Sequence, residues 1–413
     1  MRSQTRRRAC IVRQNDIYDG EMQREAEALA SAGFDVEVLC LRTDGAPDRA
    51  LVNGVQVVRL PVSRGRGGSA SKALAYARFF LLAAGHLAVR HVRRPYAVVQ
   101  VCSMPDFLVF AALVPRLLGS KVVAKMQEPT PELATTIFGP TPLTRVLARI
   151  EQLAIGFAHH TVTVSDQLKQ RFVERGAVAE RITVVLNCAD PYAMRPGPTS
   201  RPPARTEPGF VVLCHGTIED RYGQDTIIDA AGLLRDEMPD LRVVLTGRGS
   251  GVEKMTRAII DRGLQDVVRF EGWVSLDRLR EILGSADVGV VAQKSSPYSH
   301  LVHTNKMVDY WIFGLPVIAS RLAAVSELYD AGFIEYFEPG DAAGLAAAIR
   351  TLRADPERRA ELAENGKLAQ RRNGWTAQRV SYLGVFEDLL GNVITADLLD
   401  RLHPVSVGET AHE

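Results

Sequence analysis

"NKMVDYWIFGLPVIAS", residues 305–320, sets a charged pair inside an apolar helix pattern, with Lys306 and Asp309 among Met, Val, Tyr and Trp. Thr304 or Asn305 can cap the helix, Gly314 ends it, and Pro316 follows before a short β-branched run. A helix that passes through Gly-Leu-Pro into a buried strand belongs to a βα repeat. The acid needs no special account, because a helix N-terminus favours it by about 0.3–1 kcal/mol. Lys306 does need one, since a cation there meets the wrong end of the dipole. A bound diphosphate would reverse the sign, with Lys306 and the helix amides sharing one anion. Asp309, one turn deeper, could then accept hydrogen bonds from ribose hydroxyls, as acids do in other nucleotide-binding folds.

The rhythm around this stretch repeats. "FVVLCHG", "DLRVVLTGRG", "VVRFEGW" and "DVGVVAQ" read as strands, separated by the helix patterns "GQDTIIDAAGLLRDE", "GVEKMTRAIIDRGL" and "SLDRLREILGSA". The first half alternates in the same way: "ACIVRQ", "FDVEVLCLR", "YAVVQVCS", "SKVVAKMQ" and "RITVVLN" are strands. Between them lie helices such as "GEMQREAEALASAG" and "DFLVFAALVPRLLG", and a longer one from about Pro142. Residues 190–209 break the alternation with six prolines and mark a linker. The expected organisation is α/β: a first Rossmann-like domain over 1–195, a linker over 196–209 and a second over 210–373. A C-terminal helix over 374–391, packing back on the first domain, and a tail over 392–413 complete it. Two tandem doubly wound parallel sheets place a cleft between them, with ligands at the carboxyl ends of the strands.

Composition narrows the function classes. A net charge of +2 argues against nucleic acid held by bulk charge. Five cysteines without CxxC spacing, mostly in apolar strand-like runs, read as buried reduced thiols of a cytoplasmic protein, with no zinc site. The basic start runs into a strand without a signal-peptide core. The longest apolar run, 79–89, is shorter than the roughly 20 residues a membrane span takes, so no transmembrane helix is expected. Charge is uneven, however: Ala50 to Pro105 holds no Asp or Glu but several Arg and Lys. Within it, "SKALAYARFFLLAAGHLAVRHVRRP" reads as an amphipathic helix with basic ends. An anionic membrane surface meeting residues 64–94 and a core-packed helix with a solvated basic rim both fit.

Two further strand ends could hold a ligand. "CHGTIEDRYGQD", 214–225, has Gly216 and Gly223 at a turn and places Arg221 where a cation meets phosphate. "LTGRGSG", 245–251, carries Arg248 beside Gly247, although glycines at strand-to-helix turns are common without any ligand.

These stretches carry a family resemblance over nearly the whole chain. With "MPDFLVFAALVPRLLGSKVV", "VTVSDQL" and "YFEPGD" beside "RYG" and the NK…DYW…G.PVIAS block, the chain resembles retaining, family-4-type glycosyltransferases of the two-Rossmann GT-B architecture. It is similar among these to bacterial polysaccharide and glycolipid glycosyltransferases. The resemblance implies transfer of a sugar from a nucleotide-diphosphate sugar, with no metal or other cofactor, by front-face attack in which the leaving phosphate takes the acceptor's proton. It implies Arg221 and Lys306 on the donor diphosphate and Asp309 on the ribose, with Gly216, Thr217, Gly247, Arg248 and Leu301 lining the donor side. It also implies an acceptor side at Asp19, Gly20, Ser103, Gln127 and Glu128, facing a sugar-bearing or lipid-linked acceptor from the cytoplasmic side of a membrane.

The chain also departs from the family pattern. Asp309 stands for the second glutamate of the E-x7-E motif, and Leu301 for the first. His300 and His303, read as solvated loop histidines, lie near that gap. Gly20 stands alone where a glycine pair is usual, Cys102–Ser103 replaces His–Asn, and Gln127 replaces a histidine. A nucleotide-sugar epimerase of the same fold, or a transferase-like protein without turnover, are the alternatives these departures leave open.

Overall fold

The computed structural model describes residues 7–15, 20–42, 45–63, 69–189, 194, 209–391 and 393. Asp19, the 196–209 linker apart from Gly209, and the 392–413 tail apart from Val393 lie outside them. The chain divides into two compact units, one running to Leu186 and resuming at Thr376, the other spanning Asn187–Trp375.

The first unit is built on β1 (Arg8–Val12), β2 (Asp35–Leu41), β3 (Arg49–Val52), β4 (Val55–Leu60), β5 (Val98–Cys102), β6 (Lys121–Lys125), β7 (His160–Thr163) and β8 (Ile182–Val184). They lie in the order β3-β4-β2-β1-β5-β6-β7-β8, and β3 alone is antiparallel, to β4. Its hairpin turns at Asn53–Gly54, both with positive φ, the geometry that an Asn-Gly pair selects. The helix Gly20–Ser31 follows β1, and Ser69–Arg93 crosses from β4 to β5.

The segment expected as one helix, "DFLVFAALVPRLLG", is instead a 3-10 helix over Asp106–Ala112 followed by a short α-helix, Leu113–Leu117. Pro115 has no N–H to give the preceding turn, which favours the break. Ser71–Arg93 is long and apolar enough to cross a bilayer by length and composition, because single polar residues such as Arg78 and His86 interrupt the run without lowering its average far. One face of that helix is committed to the protein: Phe79, Ala83 and Leu87, at four-residue spacing, are buried. From Thr376 the helix Trp375–Leu390 belongs to this unit, and its buried Tyr382 hydroxyl donates to Gln100 of β5 at 2.8 Å.

The second unit has six strands, all parallel: β9 (Phe210–Thr217), β10 (Leu241–Arg248), β11 (Val268–Phe270), β12 (Val288–Val291), β13 (Val317–Ser320) and β14 (Glu335–Phe337). Their order is β11-β10-β9-β12-β13-β14, so the winding reverses between β9 and β12. Such a switch point is where open α/β sheets bind ligands. Alternate residues of β9 feed two cores. Phe210, Val212 and Cys214 join Ile227, Ile228 and Leu345 on one face, while Val211 and Leu213 join Tyr310 and Trp311 on the other. A strand buried on both sides reads as a continuous apolar run, as "FVVLC" does. The helix Pro356–Asn373, absent from the sequence expectation, is mostly polar and covers Trp311 through Gly366.

The helix Lys306–Ile312 is fixed across the switch point by Tyr310. Its buried hydroxyl lies 3.2 Å from the Leu213 carbonyl and 3.4 Å from that of Val290, and accepts the His215 N–H at 3.4 Å. The ring fits because residue 289 is glycine: a Cβ there would lie 2.3–2.6 Å from its carbons. Gly289→Ala is therefore expected to lower unfolding free energy by about 1–3 kcal/mol, the usual cost of overpacking, measured by urea denaturation.

Candidate functional site

At the switch point the strand ends converge on Lys306. Gly216, with φ +106°, has no Cβ; one built there would lie 2.8 Å from Lys306 Cε. The lysine stem occupies that space. Gly247 of β10 is paired in register with Gly216, and a Cβ on it would come within 1.7 Å of the Gly216 carbonyl oxygen. Both glycines are there so that backbone and lysine can approach closely.

The Lys306 ammonium lies 4.5 Å from the Tyr222 ring centroid and within ion-pair distance of no carboxylate among the described residues. Burial pulls its pKa below the ordinary ammonium value, Cys214 and Asp309 oppose the drop, and Arg221 adds to it. Arg221 flanks the same ring, its guanidinium 4.9 Å from Tyr222 and 5.7 Å from Tyr298. Two cations thus share one aromatic ring at the end of β9. Arg221 is paired with Glu219, while its buried Nε has no hydrogen-bond partner.

Asp309 lies one turn on from Lys306, its Oδ2 3.6 Å from Nε2 of His215. Burial, with Lys306 adding to it, lowers the His215 pKa to about 3, so the ring is neutral and the contact is not an ion pair. His215 Nε2 is buried without a hydrogen-bond partner, a polar atom left open beside a carboxylate.

The helix itself is only seven residues long, and Asn305 makes no side-chain cap; Thr304 Oγ1 accepts the Lys306 N–H at 3.4 Å. The positive charge here therefore sits on the Lys306 and Arg221 side chains, at the start of a short helix. Thr217 is exposed at the end of β9 and pairs in register with Arg248, whose guanidinium lies over Trp273 at 4.2 Å. Leu301 is buried and tied to Tyr298 by its N–H. Of the nearby histidines, His300 is half-exposed in its loop, whereas His303, expected to be solvated, is buried. His300 bonds the Ser295 hydroxyl at 2.9 Å, and His303 is buried against Tyr329 with its pKa lowered by burial to about 4.

In the first unit, neighbouring β1, β5 and β6 bring the remaining expected residues to one end of the sheet. Gly20 opens the helix after β1, Ser103 follows β5, and Gln127–Glu128 follows β6. The Gln127 N–H donates to Ser103 Oγ at 3.1 Å. Sequence reasoning passed over the residues that bind these ends together. Lys125, closing β6, is buried and reaches Glu21 at 2.6 Å and Glu25, and Gln100 donates to Glu25 at 2.7 Å. Burial pushes Glu21 up, but Lys125 and Arg13 outweigh it and hold the carboxyl well below its usual range. Asp106 is buried too, its pKa pushed up to about 7 by burial against the Thr130 hydroxyl, which donates to it at 3.1 Å. His215, Glu219, Tyr222 and Tyr298 were equally missed in the second unit. All four stand in or near the quoted strand-end stretches, but only the fold shows which of them face Lys306 and Arg221. No group of three or more His, Cys, Asp or Glu side chains converges to hold a metal ion among the described residues.

Residues 21–188 match the glycosyl transferase 4-like domain and residues 209–355 the glycosyl transferases group 1 domain. The chain is 28% identical to the D-inositol 3-phosphate glycosyltransferase of Acidothermus cellulolyticus over 62% of this chain and 59% of that enzyme. It is 30% identical to the lipopolysaccharide core biosynthesis glycosyltransferase LpsE of Rhizobium meliloti over 38% of this chain and 43% of that protein. The matches thus span less than two thirds of these relatives' lengths. Among solved structures, sucrose-phosphate synthase of Thermosynechococcus elongatus superimposes with a TM-score of 0.74 at 17% identity, over 93% of this chain and 99% of that one. Anabaena HepE in complex with UDP-glucose does so with a TM-score of 0.69 at 19% identity, over 92% and 99%. With one family domain on each unit and a GT-B fold throughout, the chain belongs to the family-4-type GT-B glycosyltransferases.

Proposed function

We propose that the protein is a retaining glycosyltransferase that moves a sugar from a nucleotide-diphosphate sugar to an acceptor hydroxyl in polysaccharide or glycolipid biosynthesis. The observation that carries this reading is Lys306, an ammonium whose stem lies against Gly216 with no carboxylate partner among the described residues, with Arg221 across the same tyrosine ring. A site that concentrates positive charge and leaves part of it uncompensated is suited to a doubly charged leaving group. HepE, of the same fold, has been solved with UDP and with UDP-glucose.

In this reading the diphosphate lies between Lys306 and Arg221, and Arg221 exchanges Glu219 for a phosphate oxygen. Asp309, beside the open Nε2 of His215, receives the ribose hydroxyls. As the bond between the anomeric carbon and the phosphate oxygen breaks, charge grows on the diphosphate, and cations already in place stabilise it without reorganising. The acceptor hydroxyl attacks from the same face and passes its proton to the departing phosphate, so no enzymic nucleophile is needed. Lys306 and Arg221 supply the charge that a metal would otherwise carry. Buried, apolar Leu301 leaves no carboxylate where the family's first glutamate would contact the donor sugar, so sugar selection rests on other groups. The first-unit strand ends at Gly20, Ser103, Gln127 and Glu128 face the acceptor, a sugar-bearing or lipid-linked molecule at the cytoplasmic side of a membrane.

The test is thermal stabilisation by UDP, GDP, ADP and TDP, followed by transfer from sugars of whichever base binds. Release of the nucleoside diphosphate with the sugar transferred, anomeric configuration kept, is the expected result. A sugar released or rearranged without transfer would favour an epimerase, and no stabilisation by any nucleotide would favour a protein without turnover. Arg221→Ala should lower kcat by about 2.7–4 kcal/mol of barrier, as loss of an oxyanion donor does.

Two substitutions should act in opposite senses. Lys306→Met removes a cation held without a carboxylate partner, so it is expected to stabilise the nucleotide-free protein by about 0.5–2 kcal/mol while weakening diphosphate binding at least tenfold. Glu219→Gln releases Arg221 and should tighten diphosphate binding severalfold. Denaturant melts and calorimetric titration read both.

A further inference from the structure

We propose that Asp106 and Thr130 form a proton-dependent latch between two strand-end loops of the first unit, closed while the Asp106 carboxyl is neutral. Asp106 opens the segment Asp106–Ala112 beyond β5, and Thr130 opens the helix Thr130–Phe138 beyond β6. The Thr130 hydroxyl donates to Asp106 Oδ1 at 3.1 Å, and nearer the strands the Gln127 N–H donates to Ser103 Oγ at 3.1 Å. Both bonds join the same two loops, so parting Asp106 from Thr130 also loosens Ser103 from Gln127. For sugar transfer this makes Asp106 a positioning residue on the acceptor side, a consequence that rests on the function proposed above. The latch itself does not depend on that reading.

The neighbouring charges decide which form of Asp106 the fold accepts. Asp106, Glu132 and Glu151 are all buried. Arg175, at the end of the helix Asp166–Glu174, reaches both Glu151 oxygens, at 2.9 and 3.1 Å, and also bonds Glu132. Arg171 adds a contact to Glu132 at 3.6 Å. Two of the three acids are therefore answered by guanidinium groups, while Asp106 has a neutral hydroxyl instead. Among the described residues, the charges that reach Asp106 are those of Glu151, from the helix Pro142–Phe157, and Glu128, from the loop after β6, both negative. Ser69–Arg93, Leu113–Leu117 and β5 also pack on Asp106–Ala112, and they bring it no cation.

A carboxylate enclosed without a cation and facing two others is costly, so the proton stays on. Burial accordingly raises the Asp106 pKa to about 7, with the Thr130 hydroxyl opposing the rise and Glu151 and Glu128 adding to it. When the loops part, Asp106 meets water and returns to the ordinary aspartate value of about 4. Between these two values the closed form keeps a proton that the open form releases. The opening equilibrium therefore rises by up to about tenfold per pH unit across that window, and the rise stops above it, where both forms are ionised. The latch is tight in acid and slack near neutrality. Glu21 and Glu37, held low by the cations around them, act in the opposite sense, so the latch must be read locally rather than from global stability.

The experiment is amide hydrogen exchange of the full chain across the pH range from 5 to 9, corrected for intrinsic rates. It is read on peptides from 103–112 and 127–138, with peptides from β9 of the second unit as reference. The variants are Asp106→Asn, which keeps the oxygen that Thr130 donates to and cannot ionise, Thr130→Val, which removes the donor, and Thr130→Ser, which restores it. Thermal melts check that each is folded. In the wild type, protection of both segments should fall by about 10- to 100-fold between pH 5 and 7 and then level off, with the β9 peptides unchanged. Asp106→Asn should give the same protection at every pH. Thr130→Val should lower protection throughout and move the levelling point to higher pH, because the bond that favoured the charged form is gone. Thr130→Ser should follow the wild type. No nucleotide or acceptor enters the measurement, so a failure of the donor site leaves it standing. Wild-type protection that ignores pH at these segments, a fall shared by β9 or persisting in Asp106→Asn, or a Thr130→Val curve that superimposes on the wild type's would each overturn the inference.

Discussion

A lysine placed at the end of a parallel sheet, with no carboxylate within ion-pair distance among the described residues, is the constraint around which the second unit is arranged. Most cations that a fold encloses are paired, because an uncompensated charge away from water is costly. Here the stem of Lys306 needs Gly216 to lack a side chain, and Gly216 needs Gly247 to lack one as well. The helix that carries the lysine needs Tyr310 against two strand carbonyls, and Tyr310 needs Gly289. Each glycine is a vacancy required by the next group along, and the chain of requirements ends at an ammonium facing Tyr222. A fold selected for stability alone has no reason to keep that arrangement; one that binds a diphosphate does.

The neighbours of Lys306 fit the same logic. Arg221 is a cation already paired, Asp309 an acid beside a neutral histidine, so the site holds charge in graded states of commitment. Glu219 pairs with Arg221, which lets a strong cation sit beside Lys306 without adding a second charge that lacks a carboxylate partner. In the first unit the corresponding strand ends are closed instead by the fully paired Lys125, Glu21 and Glu25. The lysines at the carboxyl ends of the two sheets are thus treated differently: Lys125 is buried and paired with two carboxylates, whereas Lys306 is half-buried with none within ion-pair distance among the described residues.

Much of the fold was legible because parallel strands buried on both faces must be continuous apolar runs, and "FVVLC", "DVGVV" and "LPVIAS" are such runs separated by helical periodicity. The β3–β4 hairpin was legible too, in Asn53–Gly54, but short edge strands weigh little against a strong βα rhythm. The 3-10 turn over Asp106–Ala112 and the polar helix Pro356–Asn373 were not, since one follows an apolar pattern that also suits an α-helix and the other lacks an apolar face. Within the site, Lys306 stood out because its charge conflicts with its place in a helix. His215 and Glu219 did not, because their significance lies in which residues face them, and that is set by the order of β9 and β12 in the sheet. The acid-free window was visible in the sequence. That three of the next four carboxylates, Asp106, Glu132 and Glu151, are buried required the fold.

The account's central claim is that Lys306 answers the donor's diphosphate, and proton linkage tests it most directly. Burial holds the Lys306 pKa below its ordinary value in the free protein, and an adjacent diphosphate would raise it. In alkaline solution, where the free lysine has begun to lose its proton, binding must then draw one from the buffer. Calorimetric titration of the stabilising nucleoside diphosphate in buffers of different ionisation enthalpy measures that uptake. The account predicts net proton uptake that grows as pH rises toward the Lys306 pKa and disappears in Lys306→Met. Binding with no uptake, or with the same uptake in the variant, would contradict it.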